Sequence, residues 1–268
     1  MRKPGLVASD VDGTLLTGTP EPSARTRAAV DRVLADDTPF VLVTGRPPRW
    51  IPPVAQYLPG VRHAVCANGA VRYDVLTDRV LWSRALTPES LRELAAACAA
   101  ALPGAVLAVE RVGRTALDEV AIPRIELGYR PGWTRDYLEV PREQLLEEPA
   151  IKMLVRHEEL SSEQMLLALR AVVGADVALT FSYPDGLVEA APAGVTKATG
   201  LTEVAGSLGF GAADVIAFGD MPNDLEMLLW AGHGVAMGNA HPALLEVADE
   251  VTAPNTEDGV ALVLERWF

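Results

Sequence analysis

The 268-residue chain has only two cysteines, Cys66 and Cys98, and no CxxC pair. A disulfide framework is excluded; both lie in apolar company, so buried free thiols in a reducing compartment are expected. Aromatic residues make up 6% against a hydrophobic content of 49%, which points to an aliphatic core. The four histidines, His63, His157, His233 and His241, are scattered and form no zinc-type cluster. No apolar run approaches a membrane span, and Arg2-Lys3 leads directly into a strand, so a cytoplasmic protein is expected. Positive charge is also short: the formal net charge is −13 and the pI about 4.8. Nucleic acid and anionic membrane are therefore not expected as partners, since both need basic patches. A small phosphorylated partner is compatible if its pocket is locally positive.

Several motifs fail on context. Gly209-Phe210-Gly211 precedes a strand and lacks the third glycine of a dinucleotide fingerprint. His157-Glu158-Glu159-Leu160 has Ser161 where a zincin needs histidine, and the Walker A pattern is absent. Lysine occurs only as Lys3, Lys152 and Lys197 among 23 basic residues. In a chain that writes its cations as arginine, Lys197 at a helix start suggests a specific need. Lys152 alternates like a strand residue within Ile151-Lys152-Met153-Leu154-Val155, and Lys3 reads as a solvated terminal charge.

What is present is a set of apolar runs that end in polar residues. Leu6-Val7-Ala8 leads through Ser9 into Asp10-Val11-Asp12-Gly13-Thr14, and Phe40-Val41-Leu42-Val43 into Thr44-Gly45-Arg46. Val215-Ile216-Ala217-Phe218 leads into Gly219-Asp220-Met221-Pro222-Asn223-Asp224, and Gly194-Val195-Thr196-Lys197 opens a helix. Such runs are the mark of parallel strands buried on both faces, and ligands collect beyond their carboxyl ends. Paired carboxylates repel, and a hard cation such as Mg²⁺ relieves them most simply. Asp-x-Asp-Gly alone fits an ordinary turn equally well; an EF-hand loop is excluded by Thr14 and Leu15. Taken together, three strand ends offer carboxylates for a metal, and a hydroxyl and a lysine for an anion.

Asp10-Val11-Asp12-Gly13-Thr14, Thr44-Gly45-Arg46, Lys197 and Gly219-Asp220-Met221-Pro222-Asn223-Asp224 resemble, in order and spacing, the four motifs of haloacid dehalogenase superfamily phosphatases. The insertion before the lysine resembles the Cof-like branch with its large α/β (type IIB) cap. Ala198 follows the motif lysine where glycine is frequent in the branch, and suits a helix start equally well. The resemblance implies a doubly wound, Rossmann-like α/β core, residues 1–83 and 187–268, with an inserted α+β cap at 84–186. Length and pattern agree: the middle is less regular than its flanks, with strands near 105–110, 151–156 and 177–181 around a helix at 161–173. Before it come a helix near 22–35, a hairpin pairing 71–73 with 80–82, and a helix from Thr87 to Leu102. The segment 128–137, with Tyr129, Trp133 and Tyr137, has materials for a polar ligand but also for a loop pinned by its own rings.

The resemblance further implies an aspartyl-phosphate mechanism with Asp10 as nucleophile and Asp12 as acid and base. Thr44 and Lys197 would hold the phosphoryl group, with Gly45 and Asn223 as further substrate contacts. Arg46 at the mouth reads equally as a substrate contact or as the partner of a carbonyl or an acid, and Asn68 as a turn residue first and a substrate contact second. Mg²⁺ would be held by Asp10, the backbone carbonyl of Asp12 and Asp220, with Asp224 behind them. A Mg²⁺-dependent phosphatase acting on a small phosphorylated metabolite such as a sugar phosphate is expected. Dehalogenation is not, because it needs no proton donor such as Asp12. Two alternatives stay open: a phosphotransferase or mutase on the same scaffold, and a silent binding module. The sequence leaves the oligomeric state open.

Overall fold

The computed structural model describes residues 2–130 and 136–268. Along the chain run β1 (Leu6–Ser9), α1 (Ala24–Ala35), β2 (Phe40–Val43), α2 (Pro52–Ala55), β3 (His63–Cys66) and the hairpin β4 (Val71–Asp74) and β5 (Arg79–Ser83). Next come α3 (Pro88–Ala101), β6 (Val106–Glu110), β7 (Arg124–Ile125), β8 (Leu138–Glu139), α4 (Arg142–Leu145) and β9 (Lys152–Arg156). They are followed by α5 (Ser162–Arg170), β10 (Val177–Thr180) and β11 (Leu187–Pro192). The chain ends with α6 (Lys197–Ser207), β12 (Val215–Gly219), α7 (Leu225–Trp230), β13 (His233–Ala236), α8 (Pro242–Leu245), β14 (Glu250–Val251) and α9 (Gly259–Leu264). Ser23 rather than Pro22 opens α1, its side chain accepting from the Thr26 amide, and Thr87 caps α3 in the same way.

The described residues form two sheets. The larger has eight strands in the order β14-β13-β12-β1-β2-β3-β4-β5, parallel from β14 to β3, with β4 and β5 antiparallel. Its apolar strands alternate between two cores. Val7, Phe40, Leu42, Ile216 and Phe218 face α1 and α9, while Leu6, Ala8, Val41, Val43, Val215 and Ala217 face α6 and α7. That is a doubly wound three-layer α/β unit. Its order reverses at β1, which lies between β2 and β12, so a crevice is expected there.

The smaller sheet has the order β10-β11-β9-β6-β7-β8, with α3 and α5 on one face. Leu107, Val109, Met153, Val155, Val188 and Ala190 pack against these helices. β11 pairs with β9 and β10, so the second sheet extends to Pro192 and the expected return to the core at 187 falls too early. The reason is compositional: the largely apolar run from Leu187 to Pro192 resembles a core strand. Cys66 and Cys98 are buried free thiols, and burial pushes both above the ordinary thiol value. The segment singled out at 128–137 is described only at its ends: Tyr129 is buried, Tyr137 is exposed, and 131–135 lie outside the described residues. Among the described residues no helix is long and apolar enough to cross a membrane.

Candidate active site

The carboxyl ends of β1 and β12 meet where the strand order reverses. The Asp10 amide donates to the Phe218 carbonyl at 2.9 Å, tying the two strand ends together. The chain then turns at Gly13, whose φ is +78°; a Cβ there would sit 2.2 Å from Asp220 Oδ2. Glycine therefore serves both the left-handed backbone and the close approach of Asp220. Thr14 Oγ1 donates to Asp220 Oδ1 at 2.8 Å. Asp224 is fully buried, and its Oδ2 accepts the amides of Asp220 and Met221 at 3.1 and 3.0 Å, closing the turn after β12.

Lys197 enters from the first turn of α6, which Thr196 caps by accepting the Thr199 amide. Its buried Nζ donates to Asp10 Oδ1 and Asp224 Oδ1, both at 2.6 Å. Oxygens from Asp10, Asp220 and Asp224, all buried, lie within 4.8 Å of one another. Burial lifts Asp10 well above the ordinary carboxylate value; Lys197 opposes this, while Asp224, Asp220 and Asp12 add to it. Burial and then Asp224 push Asp220 up to about 7. For Lys197 burial acts downward, yet Asp10 and Asp224 hold it above the ordinary lysine value. One ammonium thus faces three crowded carboxylates. An all-oxygen site with unbalanced negative charge fits a hard divalent cation.

The remaining expected residues divide. Thr44 is buried at the end of β2, where its hydroxyl accepts the Arg46 amide at 3.1 Å, and it lines the same cavity as Asp10. The Asp12 carboxylate, 59% exposed, stays outside the carboxylate cluster. It is gripped by Arg46, whose Nε and Nη2 donate to its two oxygens at 2.7 and 2.5 Å. Arg46 thus holds this acid, and both residues line the cavity. Asn68 is used inside the protein: Nδ2 donates to Glu189 at 3.0 Å and Oδ1 accepts from Asn223 Nδ2 at 3.0 Å. Asn223 lines the cavity, and its Oδ1 is buried with no hydrogen-bond partner among the described residues.

Above these residues lies a cavity of about 680 Å³, lined from both sheets. Two polar links crossing it escaped the sequence reading. Lys152 Nζ donates to the Gly45 carbonyl at 2.6 Å and to Glu189 Oε2 at 2.5 Å. Arg49, after β2, pairs with Glu110 at the end of β6, one bond measuring 2.8 Å. The usable signal was the alternation in β9, which puts Lys152, Leu154 and Arg156 on one face; their partners are distant in sequence.

The comparisons agree with this geometry. The family model for haloacid dehalogenase-like hydrolases matches residues 7–264. The chain is 32% identical over 277 residues to the 5-amino-6-(5-phospho-D-ribitylamino)uracil phosphatase YitU of Bacillus subtilis (strain 168), covering 99% of this chain and 98% of that protein. A haloacid dehalogenase-like hydrolase from Bacteroides thetaiotaomicron superposes with a TM-score of 0.77 at 26% identity, over 98% of this chain and 99% of the other. A sugar phosphatase of HAD subclass IIB superposes with a TM-score of 0.81 at 24% identity, over 98% of both chains, which shows the shared fold. The class is therefore that of a phosphatase built on a doubly wound α/β core with a cap. Within that class, the chain belongs to the haloacid dehalogenase-like hydrolases, in the Cof-like branch.

Proposed function

We propose that this phosphatase cleaves the phosphomonoester of a small metabolite, a sugar phosphate in particular, through a phosphoaspartate on Asp10 and with Mg²⁺ as cofactor. The observation that carries this reading is the triad of buried carboxylates around one lysine at the strand switch point. Asp10, Asp220 and the carbonyl of Asp12 would hold the cation, with Asp224 fixing Lys197. The orphaned Asn223 Oδ1 suits a hydrogen from a coordinated water. When bound, Mg²⁺ screens the repulsion between Asp10 and the phosphate dianion.

One oxygen of Asp10 is engaged by Lys197, leaving the other to attack phosphorus in line with the departing alcohol oxygen. Lys197 and the Thr44 hydroxyl then bind phosphoryl oxygens as charge grows on them. Asp12 passes its proton to the leaving oxygen and afterwards takes one from the water that opens the acyl phosphate. Arg46 holds both Asp12 oxygens, so contact between Asp12 and the leaving oxygen requires that pair to loosen; the exposure of Asp12 leaves room for it. The phosphorylated ribityl chain named for the Bacillus subtilis relative supports a phosphorylated sugar or polyol.

The test is phosphate release from a panel of sugar and polyol phosphates with Mg²⁺ and with EDTA. Release that needs the metal supports the reading. Phosphorylated product in place of inorganic phosphate would assign a phosphotransferase, and silence toward every ester would overturn the assignment.

A further inference from the structure

The cavity wall contributed by the second sheet has a simple charge inventory. Strand alternation turns Lys152, Leu154 and Arg156 of β9 toward the cavity, while Met153 and Val155 pack beneath. Glu110 on this wall holds Arg49, and Glu189 holds Lys152. On the opposite wall Asp12 holds Arg46. Arg156 differs. It is partly buried and lines the cavity, yet it meets no carboxylate or carbonyl among the described residues. In a chain with net charge −13, that leaves a planar fork of donors with full charge facing the space above Asp10.

Its position sets a length. Lys152 and Arg156 are four residues apart on one strand, which separates their Cα atoms by about 13 Å. Lys152 touches the Gly45 carbonyl, next to Thr44, so it marks the phosphate end. Arg156 stands a sugar or polyol chain further out, and Leu154 between them offers an apolar surface to the carbon skeleton. Arg156 sits away from the carboxylate cluster, and its guanidinium matches an oxyanion through two parallel hydrogen bonds.

We propose that Arg156 selects a leaving group that carries a second oxyanion, a carboxylate or another phosphate, at the end remote from the scissile phosphoester. This rests on the phosphate being bound at Thr44 and Lys197 as read above. It narrows the substrate class from sugar phosphates in general to phosphorylated sugar acids or bisphosphates.

The experiment compares glucose 6-phosphate, 6-phosphogluconate and glucose 1,6-bisphosphate on the wild type and on Arg156→Gln. The wild type is expected to favour an anionic ester by roughly tenfold to a hundredfold in kcat/KM, mostly through KM. Arg156→Gln removes that preference and leaves glucose 6-phosphate turnover within about twofold, since the neutral leaving group lacks the charge-assisted pair. Whichever anionic ester is favoured identifies the oxyanion. Equal use of all three esters by the wild type, or an equal loss on all three in the variant, overturns the proposal. A calorimetric arm needs no turnover: the Asp10→Asn protein, with and without Arg156→Gln, is titrated with 6-phosphogluconate and with glucose 6-phosphate. A preference that Arg156→Gln abolishes sustains the proposal even if the hydrolytic reading fails. Equal affinities overturn it.

Discussion

Replacing Lys152 with methionine probes the link between the two sheets. Lys152 and Glu189 are 6% and 3% exposed, and the ammonium also holds the Gly45 carbonyl. Truncating one partner of a buried ion pair costs about 3–5 kcal/mol, because the other charge stays buried. Glu189 keeps Asn68 and Ser182 as donors, which places the expected cost at the lower end, about 3 kcal/mol. For a chain of this size that is a fall of roughly 6–12 °C in Tm. The double variant Lys152→Met/Glu189→Leu removes both charges and is expected to recover most of the loss. Burial pushes Glu189 upward, but the Lys152 charge and the hydrogen bonds from Lys152 and Ser182 hold it below its ordinary value. Its contribution is therefore present above the ordinary carboxylate pKa and is lost as pH falls through the lower folded value. The Tm gap between wild type and Lys152→Met should close in acid. Calorimetry from neutral to acidic pH reads all three quantities. A Tm unchanged in Lys152→Met, or a double variant as unstable as the single one, would refute this account.

Asp10→Asn is expected to abolish phosphate release while keeping the fold, checked by turnover together with circular dichroism. Gly13→Ala forces an alanine into a left-handed backbone, at about 1–2 kcal/mol, and drives its Cβ against Asp220. Mg²⁺ affinity measured by calorimetry should fall by tenfold or more, on the order of effects seen when the supports of metal ligands are disturbed. Thr196→Ala removes the cap of α6 and is expected to cost about 1 kcal/mol, seen as a drop of roughly 2–4 °C in Tm. An unchanged Tm would show that the cap carries no weight.

The core was legible because its strands are buried on both faces, so Leu6 to Ala8, Phe40 to Val43 and Val215 to Phe218 read as continuous apolar runs. Polar residues at their ends then had one place to go, and Asp10, Asp220, Asp224 and Lys197 do converge. β11 misled for the same reason: an apolar run says that a strand is buried, not which sheet buries it. Lys152 was legible as a strand residue but not as an ion-pair member, because Glu189 lies 37 residues away. Arg46 and Asn68 were placed near the site by their strand ends, each with a structural role as an alternative; local sequence could not show that Asp12 and Glu189 are the acids they hold. Arg156 carried no local mark at all; it stands out only when the partners of every other cavity charge are known.

The central claim is that Asp10 becomes covalently phosphorylated. Asp12→Asn should leave attack possible but slow the opening of the acyl phosphate, so acid quenching during turnover with a phosphorylated sugar and Mg²⁺ captures the intermediate. Mass spectrometry of the peptide containing Asp10 is predicted to show one added phosphoryl group, absent with EDTA and absent when Asp10→Asn is added. Phosphate release by the wild type, together with an unmodified Asp10 peptide or a phosphoryl group on another residue, would contradict the account.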